Sequence, residues 1–308
     1  MTNLAPIIVF SYNRPDHLRQ TLDRLAKNTL ASQSVLYIYC DGAKANATSD
    51  QLAKVQENRR VAHAASGFKA IYVVERESNV GLKNNIVSAV TEIVNQYGRV
   101  ITLEDDIITS VGYLRYMNDA LEMYKDDEQV MHISGYMWPH KGTLPDTFFY
   151  EVPYPGGGWA TWQRAWKHYT DDAKPLYDYW CTRWDEFNKF GGDYLQNQLE
   201  KNYRGVMKTW FIKWHAVMLQ RGALTLYPGQ SLTNNIGFDE LGTNCYTTDK
   251  FDVVPVDYVE IKRIPIKENK RAAREIYAFY QGRWYNRRRR KKLINKILKT
   301  FHLATTKL

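Results

Sequence analysis

The chain has 308 residues, 44% of them hydrophobic and 14% aromatic, enough to bury a sizeable core in one large domain or one domain with appendages. No window approaches the roughly 18 to 20 apolar residues that cross a bilayer, and the N-terminus enters a strand without a basic, apolar and small-residue leader pattern, so a cytosolic protein is expected. The net charge of +9 is uneven: from Lys262 onward sixteen Lys and Arg face only Glu268 and Glu275, which makes the tail strongly basic and leaves the body mildly acidic. Cys40, Cys181 and Cys245 share no metal-ligand spacing, so neither a disulfide framework nor a zinc site is indicated.

Residues 5 to 12 alternate and cluster as a strand, and Asn13-Arg14-Pro15-Asp16 turns into a helix with Leu18, Leu22 and Leu25 at helical spacing. A second apolar run, Val35 to Cys40, ends in Asp41-Gly42, and a polar helix follows to about Arg60. A third strand over 70–74 leads to Asn79-Val80-Gly81-Leu82 and a helix with Ile86, Val90, Ile93, Val94 and Tyr97 on one face. The fourth strand, Val100 to Leu103, breaks into Glu104-Asp105-Asp106. Strands alternating with helices predict an α/β layer around a mostly parallel sheet.

In such sheets ligands collect at the carboxyl ends of the strands. Those ends offer Arg14, Asp41, the Asn79 to Gly81 loop and the three carboxylates, a combination that suits a nucleotide diphosphate site. Three adjacent anions at a strand end call for a cation, and oxygen-only ligands suit Mn²⁺ or Mg²⁺, which share their coordination with water and phosphate. The alternative is a solvated acidic turn that caps the next helix.

Further along, Leu114, Met117, Leu121 and Tyr124 read as the core face of a helix, and Val130 to Gly135 as another strand. Pro153 to Trp162 combines a glycine run with Trp159 and Trp162, which reads either as a turn pinned by core tryptophans or as an aromatic wall for a pyranose. Residues 163 to 222 read as mostly helical, and the Asn- and Gly-rich stretch 231–244 as a loop that closes over ligand. His132 and His215 sit in periodic apolar segments and are read as buried rather than as metal ligands. No internal repeats are visible.

The segment Pro6 to Pro15, Asp41-Gly42, Asn79-Val80-Gly81-Leu82, Leu103-Glu104-Asp105-Asp106, Gly158 to Trp162 and Asn235 to Asp239 together resemble a bacterial GT-A-fold glycosyltransferase of the family-2-like sugar transferases, over roughly residues 5 to 245. The Glu-Asp-Asp form is similar to that of the animal N-acetylglucosaminyltransferase that starts complex N-glycans. The resemblance implies a GT-A domain over 1–260, with a nucleotide-sugar half at about 1–110 and an acceptor half at about 111–260, followed by a basic amphipathic tail over 261–308. It implies that Asp41 bonds the nucleotide base, that Arg14 lies near the diphosphate, and that Gly81 and Leu82 lie against the nucleoside. Asp106 would be the protein ligand of Mn²⁺ or Mg²⁺, with Glu104 and Asp105 orienting the ribose or donor sugar and the metal's waters, and Trp159 bordering donor and acceptor. The implied reaction is metal-dependent, inverting transfer from a nucleotide sugar, a UDP-sugar first, to a saccharide hydroxyl.

Inversion requires an Asp or Glu as base, and here the pattern departs. Relatives place an acidic residue before a Trp-x-x-x-Trp helix, whereas Trp210 and Trp214 are preceded by Lys208. Asp193, Glu200 and Asp239 are the remaining candidates, with Asp193 preferred. The departure also admits a catalytically silent nucleotide-sugar or polysaccharide-binding homologue. In the tail, Arg287 to Lys292 precede Leu293, Ile294, Ile297, Leu298 and Phe301 at helical spacing. Residues 283–301 therefore read as an interfacial helix on an anionic membrane in preference to a nucleic-acid-binding or solvated tail. That location, the inner face of the cell membrane, suggests a lipid-linked acceptor and a surface polysaccharide product.

Overall fold

In the computed structural model, residues 4–188, 193–239 and 248–281 are described. The elements run β1 (Ile7–Ser11), α1 (Pro15–Ala26), β2 (Val35–Cys40), α2 (Ser49–His63), β3 (Ala70–Glu75), α3 (Leu82–Tyr97), β4 (Arg99–Glu104), β5 (Ile107–Thr109), α4 (Tyr113–Met123), β6 (Val130–Ser134), β7 (Thr147–Tyr150) and β8 (Trp159–Trp162). There follow α5 (Gln163–Trp166), α6 (Lys174–Trp180), α7 (Trp184–Phe187), α8 (Asp193–Tyr203), α9 (Phe211–Gln220), β9 (Leu224–Pro228), β10 (Thr233–Asn235) and α10 (Lys270–Tyr280).

Eight strands form one sheet in the order β3-β2-β1-β4-β8-β6-β9-β7. The first four pair in parallel; β8 runs antiparallel to both β4 and β6, β9 is parallel to β6, and β7 closes the edge antiparallel. The chain is thus an α/β protein with a mixed, mostly parallel, Rossmann-like sheet flanked by helices.

Alternation along the strands explains the layers, since successive side chains leave opposite faces. Ile7 and Val9 of β1 and Ile101 and Leu103 of β4 pack with Leu18, Leu22 and Leu25 of α1, Val61 of α2 and Met117 of α4. Ile8, Phe10 and Val100 face the other way, onto Ile86, Val90 and Ile93 of α3 and Trp214 of α9. Covered on both faces, β1 has no exposed residue, which is why it reads as a continuous apolar run.

A separate two-stranded pairing matters most for the site. β10 lies antiparallel to β5, with Asn235 opposite Ile107. This brings residues 235–239 back to the end of β4, although more than a hundred residues separate them in sequence.

The expected tail is partly built into the body. Ala272, Ile276 and Phe279 of α10 are buried against Tyr136, Trp138, Phe148 and Tyr227, and Phe149 bridges to Glu268. Arg263 ion-pairs Asp127 at 2.8 Å. The packed body therefore extends past 261 to Tyr280, because α10 needs that aromatic cluster to cover its apolar face. The 283–301 stretch assigned to a membrane surface lies outside the described residues, as does the 240–244 part of the closing loop. Among the described residues no helix is long and apolar enough to cross a membrane.

Candidate functional site

Parallel pairing of β1, β2, β3 and β4 puts Arg14, Asp41, Asn79 to Gly81 and Glu104 to Asp106 on one edge of the sheet, and the structure resolves them into two groups.

The first group is organised by Asp41, which is only 5% exposed. Its Oδ1 accepts from the amides of Gly42 and Val80, each at 2.9 Å, and its Oδ2 from the Gly81 amide at 3.0 Å and Asn79 Nδ2 at 3.1 Å. A carboxylate offers about four acceptor positions, and all four are used. Asp41 therefore shapes the loop that starts α3, and any further donor reaching it would have to displace one of these bonds. Gly81 holds φ at 79°, a left-handed conformation that glycine adopts without strain. Leu82 beside it is exposed, so it presents apolar surface to the edge.

The second group is built on Arg14. Its guanidinium ion-pairs Asp105 through one nitrogen and Asp106 Oδ2 through another at 2.9 Å. Burial works against its charge, but Asp105, Asp106 and Glu104 outweigh it and hold the guanidinium above its usual range. Thr21 of α1 donates to the Asp105 carbonyl at 2.8 Å, and Asp106 accepts through its own carbonyl from the Ile236 amide at 2.9 Å. A Cβ on Gly237 would stand 2.0 Å from Asp106 Oδ2, so only glycine allows the 235–239 loop this close.

Charge in this group does not balance. Burial pushes the Glu104 carboxyl up to about 8, with Asp106 adding repulsion and Arg14 opposing. Burial also pushes Asp105 up to about 6, against the pull of Arg14. One guanidinium faces three carboxyls, and Asp106 Oδ1 is buried without a hydrogen-bond partner among the described residues. An unmet buried carboxylate oxygen costs free energy and invites a cation.

The donor set fits a divalent ion held lightly. Among the described residues no three His, Cys, Asp or Glu side chains gather as a metal cage. Asp105 and one oxygen of Asp106 are already committed to Arg14, which leaves Asp106 Oδ1, with Glu104 beside it, as the protein's contribution. One or two carboxylate oxygens completed by water and phosphate is the manner in which Mg²⁺ is commonly bound.

The other expected residues divide. Trp159 is 3% exposed, its ring stacked on His132 at 5.1 Å and on Trp210 at 5.1 Å, so it is a core tryptophan and offers no open face to a sugar. Asp193 is an exposed residue in the first turn of α8, a helix that packs on α6, α7 and α9, and no contact ties it to the acidic cluster among the described residues. Glu200 accepts from Gln196 on the same helix at 2.9 Å. Asp239 is the candidate that the fold delivers: two residues beyond Gly237, its Oδ2 lies 3.1 Å from Nε2 of the buried His17. His132 and His215 are fully buried and burial pushes both down to about 3, which keeps them neutral.

His17 was not singled out by sequence reasoning, yet the signal was present: Arg14, His17 and Thr21 recur at spacings of three and four, one face of a helix. A second unforeseen group is Asp171, which ion-pairs both Lys83 of α3 and the buried Lys213 of α9 and so ties the start of α3 to the helical segment. It joins residues from three separate segments, which no local pattern announces.

Neither a protein-family model nor a curated protein sequence matches the chain. Solved structures do. S. aureus TarS is similar at 18% identity over 46% of this chain and 23% of that one, with a TM-score of 0.30. S. aureus TarS 1-349 is similar at 13% identity over 76% of this chain and 60% of that one, with a TM-score of 0.41. A galactosyltransferase, LgtC, in complex with donor and acceptor sugar analogs, is similar at 10% identity over 71% and 72%, with a TM-score of 0.37. The chain spans less than two thirds of either TarS structure.

Proposed function

We propose that the protein is a GT-A-type glycosyltransferase that moves a sugar from a nucleotide-sugar donor, a UDP-sugar first, to a hydroxyl of a saccharide acceptor with inversion. The observation that carries this is the unbalanced cluster of Glu104, Asp105 and Asp106 at the carboxyl edge of the sheet, with one buried oxygen of Asp106 unmet beside Arg14. Mn²⁺ or Mg²⁺ held by Asp106 would supply neutralisation of the charge that develops on the leaving diphosphate.

The chain's own residues supply the rest. Leu82 and the Asp41-ordered loop offer a shelf for the nucleoside, and Arg14 fixes the two aspartates in place from one side. Asp239 is the base in this reading, in place of Asp193: it takes the proton of the acceptor hydroxyl as that oxygen bonds the anomeric carbon. The bond from that carbon to the diphosphate breaks, and its electron pair leaves on the phosphate oxygen. His17 holds the Asp239 carboxylate in position from the buried side. Action on a lipid-linked acceptor at the inner membrane face, in surface polysaccharide synthesis, extends the same reading through residues 283–301.

A second reading, a silent nucleotide-sugar binder, is favoured by one observation: Arg14 already bridges Asp105 and Asp106 as a fixed cation. Thermal shift with a panel of UDP-sugars, with and without Mn²⁺, followed by product analysis on wild type and Asp239→Asn, separates the two. The transferase reading expects a Mn²⁺-dependent shift in both proteins and transfer by wild type alone. A shift with neither transfer nor donor hydrolysis selects the silent binder, and no shift with any nucleotide sugar sinks both.

A further inference from the structure

From Gly237, packed on Asp106, the chain passes to Phe238, which stacks on Phe251 at 4.7 Å. Phe251 in turn meets Phe279 near the end of α10 at 5.3 Å, and Phe279 meets Tyr280 at 5.5 Å. Tyr280 packs edge-on to Trp138 at 5.9 Å while remaining 38% exposed. Phe279 and Trp138 are buried, so the aromatic surface near the acidic cluster is made by the partly exposed Phe238, Phe251 and Tyr280 around them.

One cation stands over it. Lys250 Nζ lies 4.9 Å from the Phe279 ring centre, 5.6 Å from that of Phe251 and 5.9 Å from that of Tyr280. Among the described residues it has no carboxylate partner, in contrast to Lys83, Lys174 and Lys213, each of which is paired with an aspartate. Burial pushes its ammonium down from the ordinary lysine value. Aromatic faces pack against the apolar face of a pyranose, and a half-buried ammonium with no carboxylate partner among the described residues favours an incoming anion.

The geometry points to this surface as the acceptor site, and to an acceptor that is an anionic saccharide, its sugar ring on the exposed part of Tyr280 and its phosphate or carboxylate on Lys250. The inference rests on the transferase reading for the word acceptor; the preference for an anionic sugar stands on Lys250 and its rings alone. The anion comes from one of two sources, a phosphate such as a lipid carrier presents or the carboxylate of a uronic acid.

Methyl β-glucoside, glucuronate and glucose 1-phosphate, titrated calorimetrically into the full chain at constant ionic strength, read the preference directly. An anionic probe is expected to bind about tenfold more tightly than the neutral glucoside, the worth of one charge-assisted contact, and Lys250→Met to remove that difference while Lys250→Arg keeps most of it. The better of the two anionic probes identifies the source. Equal binding of all three probes overturns the proposal, as does a preference for anions that survives Lys250→Met. If Lys250 only steadies the carboxyl end of α10, the Met variant melts earlier and the probe series is unchanged, which also overturns it. The UDP-sugar and Mn²⁺ shift measured on the same protein keeps the readings apart: its absence beside an intact anion preference removes the donor site alone.

Discussion

The two groups on the carboxyl edge are made of the same materials and differ in how far they are satisfied. Asp41 has all its acceptor positions filled by loop amides and an asparagine, so its charge is spent on shape. Asp106 has one oxygen on Arg14 and one buried without a partner among the described residues, in company with two further carboxyls. Buried polar groups are ordinarily hydrogen-bonded, so the satisfied half is what a scaffold looks like and the unsatisfied half is where chemistry is to be sought. The difference also says how each half should fail: removing charge from the first should cost stability, and removing it from the second should cost activity.

The largest effect is expected from Asp106→Asn. The amide keeps the shape but presents a neutral oxygen, and loss of transition-state electrostatic stabilisation typically costs about 10² to 10³ in turnover. Transfer assays should show a loss of that size together with loss of the Mn²⁺-dependent thermal shift, while the melting temperature without metal holds or rises, because a strained anion has been relieved. Metal-dependent transfer at the wild-type rate would abolish the distinction between the two halves.

Asp41→Asn is next and should have the opposite signature. The amide nitrogen now faces backbone N–H groups that it cannot accept from, so at least one buried donor is left unmet, at a cost of about 1 to 3 kcal/mol. Urea unfolding should report that loss. A variant as stable as wild type, with donor binding weakened instead, would return Asp41 to the role of base contact.

Much of this edge was legible in the sequence, and for a physical reason. Parallel strands are buried on both faces, so Ile7 to Phe10 and Val100 to Leu103 appear as apolar runs whose ends are marked by the first charged residues. Once those strands are read as neighbours, the convergence of Arg14, Asp41 and Asp106 follows. What could not be read is anything fixed by pairing at a distance. The β5 and β10 register that brings Asp239 beside the cluster joins segments with no shared local pattern, so the sequence alone prefers Asp193, which the fold places on an exposed helix end. Trp159 misled for a related reason: a glycine run beside tryptophans is the same string whether the rings face a sugar or, as here, His132 and Trp210. The extent of the tail was misjudged because the basic residues of α10 advertise solvent, while Ala272, Ile276 and Phe279 on its other face are what hold it down.

The smallest effect sharpens the comparison most, because it uses pH alone. Glu104 is pushed up to about 8 by burial and by Asp106, from an ordinary value of 4.5. A carboxyl raised in the folded state binds its proton there while the unfolded chain has released it, so stability falls as pH rises from about 4.5 to 8 and is level beyond. Asp105, pushed up to about 6, acts in the same direction at the lower end of that window. His132 and His215, pushed down to about 3, act oppositely: the unfolded chain takes up protons that the folded one refuses, so their contribution rises with pH up to about 6.5. Both histidines and Asp105 remain in Glu104→Gln, so the difference between the two melting curves reports Glu104 together with its repulsion of Asp105 and Asp106. That variant should melt progressively later relative to wild type between pH about 5 and 8, in differential scanning calorimetry without metal. Parallel curves would mean that the Glu104 proton is shed without strain, and the acidic half of the edge would then be as settled as the half that Asp41 organises.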